Sequence, residues 1–98
     1  MAFPNKSDIL IWTKENIDNV PDTCGIYTLR KNTRIEGILY IGMAGERRLK
    51  ERILEHFNSN DITGVIFFDW YETKTESDAK VLEEFWIDKY APIYNKQG

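Results

Sequence analysis

Tyr27, Tyr40, Arg52, His56 and Glu83 are the residues whose types and spacing could do chemistry in this chain. Arg52 and His56 stand four positions apart, so on a helix they share one surface. A guanidinium beside an imidazole can bind a phosphate and move a proton; a solvated basic face with a packed histidine would use the same spacing. Tyr27 and Tyr40 close and open two echoing tripeptides, Gly25-Ile26-Tyr27 and Tyr40-Ile41-Gly42. A phenol ionises near about 10 and is a poor base unless a cation stabilises the phenolate. Aromatic residues in strands are otherwise core, and strand register decides whether these two share a face. Glu83 emerges among Ala79, Trp86, Ile87 and Tyr90 at about 100° per helical residue. A carboxylate there needs a partner, whether a metal ion, Arg52 or an ion pair that ties the helix down.

The elements that must position these groups follow from the pattern. Residues 7–21 read as a lead-in, with Ser7 placed to cap a short helix and Pro21 ending it. Residues 24–30 and 38–42 are rich in Ile, Leu and Tyr around the polar "KNTRIEG", which predicts an antiparallel hairpin of unspecified turn type. Over 47–58, Leu49, Ile53, Leu54 and Phe57 form one apolar stripe, predicting a helix with Arg52 and His56 on its shoulder. Arg48, Glu51 and Glu55 turn to solvent, and Lys50 must snorkel out of the apolar sector. Gly64 closes a loop before a third strand at 65–73. Thr75 to Asp78 has capping-box spacing and opens a helix to about Tyr90, which Pro92 ends. On it Lys80, Glu84 and Asp88 form a solvent-facing row. Strand, strand, helix, strand, helix predicts a small α+β sheet covered by helices.

Ninety-eight residues predict one domain, with a lead-in at 1–23 and a motif-bearing core at 24–95. With 42% hydrophobic and 30% charged residues the chain is neither disordered nor fibrous in composition. A net charge of −3 argues against binding nucleic acid by overall charge. Arg47, Arg48, Lys50 and Arg52 nevertheless lie within six residues, and a local patch acts over a Debye length of about 8–10 Å. Cys24 is the single cysteine, so neither an intrachain disulfide nor a multi-cysteine zinc site can form. Apolar runs are too short to span a bilayer and no signal-peptide pattern is present, so no membrane role and a cytoplasmic location are expected.

Taken together, "GIY" at 25–27, "YIG" at 40–42, Arg52 with His56 in "RILEHF", Glu83 and "APIYN" ending at Asn95 make the sequence resemble the GIY-YIG endonuclease superfamily from about Cys24 to Asn95. The resemblance implies a three-stranded antiparallel sheet flanked by helices and metal-dependent hydrolysis of DNA phosphodiester bonds. It implies Tyr27 as general base with Tyr40 beside it, His56 assisting proton removal and Arg52 holding the scissile phosphate. Glu83 is implied as the ligand of one Mg²⁺ or Mn²⁺, with Gly42 and Asn95 supporting the site. Arg47, Arg48 and Lys50 are expected to meet the phosphate backbone, and a partner subunit or homodimer to assist recognition. The chain departs from the pattern at Met43, where many members have lysine, and in a linker before Arg52 about two residues longer. An inactive nucleic-acid-binding or protein-interaction module of the same fold is the alternative expectation.

Overall fold

The computed structural model describes residues 3–95. Its centre is β3 (Gly25–Arg30), every residue of which is buried. β3 pairs antiparallel with β4 (Ile38–Ala44) on one side and with β5 (Phe67–Glu72) on the other. The expected hairpin is β3–β4, with a 3₁₀ turn at Ile35–Gly37. Its register sets Tyr27 opposite Gly42 and Leu29 opposite Tyr40. Because side chains alternate along a strand, Tyr27, Leu29, Tyr40 and Gly42 fall on one face. That settles the question the sequence left open.

The sheet is larger than the three strands expected. β1 (Asn5–Lys6) and β2 (Leu10–Ile11) both pair with β5, giving five strands among the described residues. The physical reason is the outer edge of β5, whose unpaired backbone groups need partners. Ser7, expected to cap a helix, belongs to this edge instead: its N–H donates to Trp70 O and its hydroxyl accepts from Trp70 N–H, each at 3.0 Å. The short helix α1 (Lys14–Asp18) is capped by Thr13, whose side chain accepts from Asn16 N–H.

α2 (Leu49–Ser59) and α3 (Glu76–Tyr90) lie near their predicted bounds. Leu49 and Ile53 are fully buried and pack with Tyr27, Leu29, Phe68 and Trp70 on one face of the sheet, where α1 adds Ile17. α3 covers the other face, where Ala79, Leu82, Trp86 and Ile87 meet Ile26, Ile38 and Ile41. Thr75 caps α3 by accepting from Asp78 N–H at 3.0 Å, as its spacing predicts. Among the described residues no helix is long and apolar enough to cross a membrane.

Two motif glycines have steric reasons. A Cβ on Gly25 would lie 2.1 Å from the Tyr71 carbonyl oxygen, so only glycine lets β3 approach β5 there. A Cβ on Gly42 would lie 2.4 Å from Tyr27 Cζ, so Gly42 is the floor on which the Tyr27 ring rests. Asn95 closes the outer edge of β4. Its amide accepts from Ile41 N–H at 2.8 Å and donates to Ile41 O at 2.9 Å, replacing a neighbouring strand.

Candidate active site

The α2 face brings Tyr27, Tyr40, Arg52 and His56 together. The Tyr27 hydroxyl lies 2.8 Å from His56 Nε2. The imidazole centroid stands 5.6 Å from the Tyr27 ring and 5.0 Å from that of Tyr40, and the two phenol rings are 6.3 Å apart. Tyr40, Arg52, Glu55, His56 and Asp61 line a cleft of about 740 Å³. Tyr27 is fully buried and sits behind this wall, so of the two tyrosines Tyr40 is the one that a water in the cleft meets.

Burial pushes the Tyr27 phenol far above its ordinary value, and repulsion from an ionised Tyr40 adds to the rise. The Arg52 guanidinium opposes both, as a charge and as a hydrogen-bond donor. Tyr40 is raised by burial and by the Glu83 carboxylate, again against Arg52. Neither tyrosine is therefore a phenolate at neutral pH, and a proton must be taken from the pair before it can act as a base.

Glu83 comes from α3, on the opposite face, yet acts electrostatically on both tyrosines and on Arg52. The geometry that allows this is the free edge of β4. Asn95 takes the Ile41 N–H there, and two residues along the same edge the Met43 N–H faces the Glu83 carboxylate. Burial raises Glu83 above the usual carboxylate value, and the nearby Lys80, the Met43 N–H and Arg52 only partly offset it. The Met43 side chain packs with the α3-side cluster, so position 43 adds no charge to the tyrosine face.

The basic run differs from expectation. Arg48 is paired with Glu51 and, at 3.3 Å, with Glu55, while Arg52 is paired with Glu55 at 2.9 Å. Arg47 stands apart in the left-handed region (φ 62°), beside a separate hollow shared with Asp22, Glu46 and Glu72. Lys50 is half-buried, as snorkelling predicts. The four cations thus form no single open patch, because the helix that aligns them aligns glutamates at i+3 and i+7 as well.

Asp61 is the residue that sequence reasoning missed. Its carboxylate lies 2.9 and 3.1 Å from His56 Nδ1. Five positions separate the two, which no helical period flags. They meet because Asn60 ends α2 in the left-handed region (φ 51°) and turns the chain back.

An α+β sandwich with a tyrosine–histidine–arginine cluster on a sheet face defines a GIY-YIG-type nuclease fold. The model of the UvrC-like GIY-YIG domain matches residues 23–96, and the chain belongs to that family. It is 30% identical over 90 residues to UvrABC system protein C of Dictyoglomus thermophilum and 33% identical over 87 residues to that of Aquifex aeolicus. These alignments cover 86% and 81% of this chain but only 14% of either relative, so the chain spans about a seventh of their length. Among solved structures it is similar to the GIY-YIG N-terminal endonuclease domain of UvrC from Thermotoga maritima, in a point mutant bound to its catalytic divalent cation. There the TM-score is 0.70 at 25% identity, covering 86% of this chain and 94% of that one. The magnesium-bound form of that domain gives 0.64 at 25% identity, covering 86% and 100%.

Proposed function

We propose that the chain is a metal-dependent endonuclease that hydrolyses DNA phosphodiester bonds, acting in the cytoplasm as one domain over residues 1–98. The observation that carries this reading is the Tyr27–His56 hydrogen bond of 2.8 Å, set behind a cleft that Tyr40 and Arg52 line. Such a pair has a use in moving a proton beside a bound phosphate.

Arg52 binds the scissile phosphate. To do so it leaves Glu55, and an exposed pair of that kind holds by less than about 1 kcal/mol. A phosphate is the stronger partner, since it offers a guanidinium two charged oxygens at once. His56 Nε2 takes the Tyr27 proton, and Arg52 stabilises the phenolate left behind. The Tyr40 ring lies 6.3 Å from that of Tyr27, and a proton passing from Tyr40 to the Tyr27 phenolate leaves the basic oxygen at the cleft, where it accepts a proton from the attacking water.

Glu83 fits the role of cation ligand. It is half-buried, raised by burial, and in no ion pair within 4.0 Å among the described residues. No three His, Cys, Asp or Glu side chains converge on a metal position among those residues, so Glu83 would hold one Mg²⁺ or Mn²⁺ that keeps most of its waters. When bound, such an ion supplies Lewis-acid stabilisation to the phosphate and its leaving oxygen. Arg47 and Lys50 contact the DNA backbone with Arg48, and a partner subunit or second copy supplies substrate recognition.

The test is cleavage of a mixed DNA panel with Mg²⁺ by the intact protein and two variants. Cleavage is expected from the intact chain, lost in Glu83→Ala and retained in Glu84→Ala, whose side chain lies in the exposed row with Lys80 at 3.7 Å. The second reading is an inert binding or interaction module, favoured by the engagement of Arg48 and Arg52 with glutamates. Absence of cleavage of any DNA or RNA with either metal would establish it.

A further inference from the structure

Asp61 stands where helix stability alone does not favour a carboxylate, just beyond the negative end of the α2 dipole. Its place is nevertheless fixed on both sides. Asn60 before it is held in the left-handed region with its N–H on His56 O at 2.9 Å, and Ile62 after it is buried against the core. The turn therefore delivers the carboxylate to one ring nitrogen of a histidine whose other nitrogen faces a buried phenol.

We propose that Asp61 is a positioning residue that holds His56 in the Nδ1–H tautomer, leaving Nε2 free to take the Tyr27 proton; this deepens, and rests on, the nuclease reading above. The argument is one of donors and acceptors. An ionised carboxylate only accepts, so the short contact to Asp61 requires a proton on Nδ1. A neutral imidazole carries one N–H, so Nε2 is then an acceptor and the Tyr27 hydroxyl its donor. Burial raises the Asp61 carboxyl, but the hydrogen bond from His56 leads the effects that keep Asp61 below the usual carboxylate value, hence ionised. In the proton transfer, the Tyr27 O–H bond breaks and an Nε2–H bond forms. The imidazolium then faces the Asp61 carboxylate and the phenolate faces Arg52, so each new charge meets a fixed opposite one. With the other tautomer Nε2 would carry the proton and could take none.

His56 is the only histidine in the sequence, so its tautomer is read directly from the long-range ¹⁵N–¹H spectrum of the intact protein at pH about 8, above the ordinary imidazole range. An unprotonated Nε2 is expected in the unmodified chain. In Asp61→Asn, which keeps the shape, the population is expected to shift toward Nε2–H, with Asp61→Glu restoring the original form. Cleavage by Asp61→Asn should fall roughly 10²- to 10⁴-fold, the range for losing a proton-transfer group. A protonated Nε2 in the unmodified protein, or a spectrum unchanged by Asp61→Asn, overturns the proposal. If the unmodified protein cleaves nothing, the nuclease reading fails while the tautomer still decides the role of Asp61.

Discussion

Two polar networks hang from adjacent residues of the central strand, and they differ in whether they close. On the α3 side, Thr28 donates to Asp69, Arg30 pairs with Asp69 at 3.3 Å, and the Tyr71 hydroxyl donates to Asp69 at 2.6 Å. Arg30 also reaches the Arg34 carbonyl. The Arg30 and Asp69 side chains are only 8% and 4% exposed, so no substrate can enter. On the α2 side, Tyr27 begins a similar chain through His56 to Asp61, but there the arginine and its carboxylate are 37% and 47% exposed. The same residue types therefore do opposite work. A network whose charges are buried and mutually satisfied fixes the sheet, whereas one that keeps an exchangeable arginine at a cleft can meet a ligand.

Breaking the open network should cost catalysis far more than stability. Tyr27→Phe removes one hydroxyl and almost no apolar surface, so cleavage should fall by about 10²- to 10⁴-fold. Unfolding free energy should change by only about 1 kcal/mol, the usual net worth of one hydrogen bond. Tyr40→Phe should lose a similar factor if the proton leaves the cleft through both phenols. Turnover unchanged in Tyr27→Phe would show that the proton taken from the water leaves the cleft without passing through Tyr27. Rates and denaturant melts on the two variants decide between these outcomes.

Breaking the closed network should do the reverse. Asp69→Ala leaves the Arg30 guanidinium buried without its carboxylate, along with the hydroxyls of Thr28 and Tyr71. Removing one partner of a buried ion pair typically destabilises by about 3–5 kcal/mol. Activity per folded molecule should hold, because the altered groups face away from the cleft. A large loss of stability in Tyr27→Phe, or of specific activity in Asp69→Ala, would erase the distinction between the two faces.

The parts legible in sequence were those governed by local rules. The stripe of Leu49, Ile53, Leu54 and Phe57 defines α2, and the Thr75 cap opens α3 where its spacing predicts. The motif residues Tyr27, Tyr40, Arg52 and His56 converge, and Asn95 holds the Ile41 backbone at the β4 edge. What stayed hidden depends on non-local pairing. β1 and β2 are two residues each, too short for any periodicity to mark, and exist because the β5 edge needs partners. The register that places both tyrosines on one face comes from the whole β3–β4 ladder. Asp61 reaches His56 only through the left-handed turn at Asn60, where neither residue type announces the contact.

The smallest expected effect concerns the basic run, where the structure changes what the sequence implied. Each phosphate contact made by a cation contributes roughly 0.9 to the log–log salt slope of DNA binding. If Arg47, Arg48 and Lys50 were equivalent, neutralising any one would lower the slope equally. Arg48, however, already has two glutamates as counter-charges, and meeting a phosphate requires displacing them. Neutralising Lys50, which has no ion pair within 4.0 Å among the described residues, should therefore lower the slope by close to the full value for one contact. Neutralising Arg48 should lower it less, and Glu51→Gln with Glu55→Gln should strengthen binding by releasing Arg48 and Arg52. Equal slopes for all three single variants would show that the helix glutamates do not hold Arg48 in solution. A slope untouched by all of them would make the run a solvated face, leaving Arg52 as the cation that meets the phosphate.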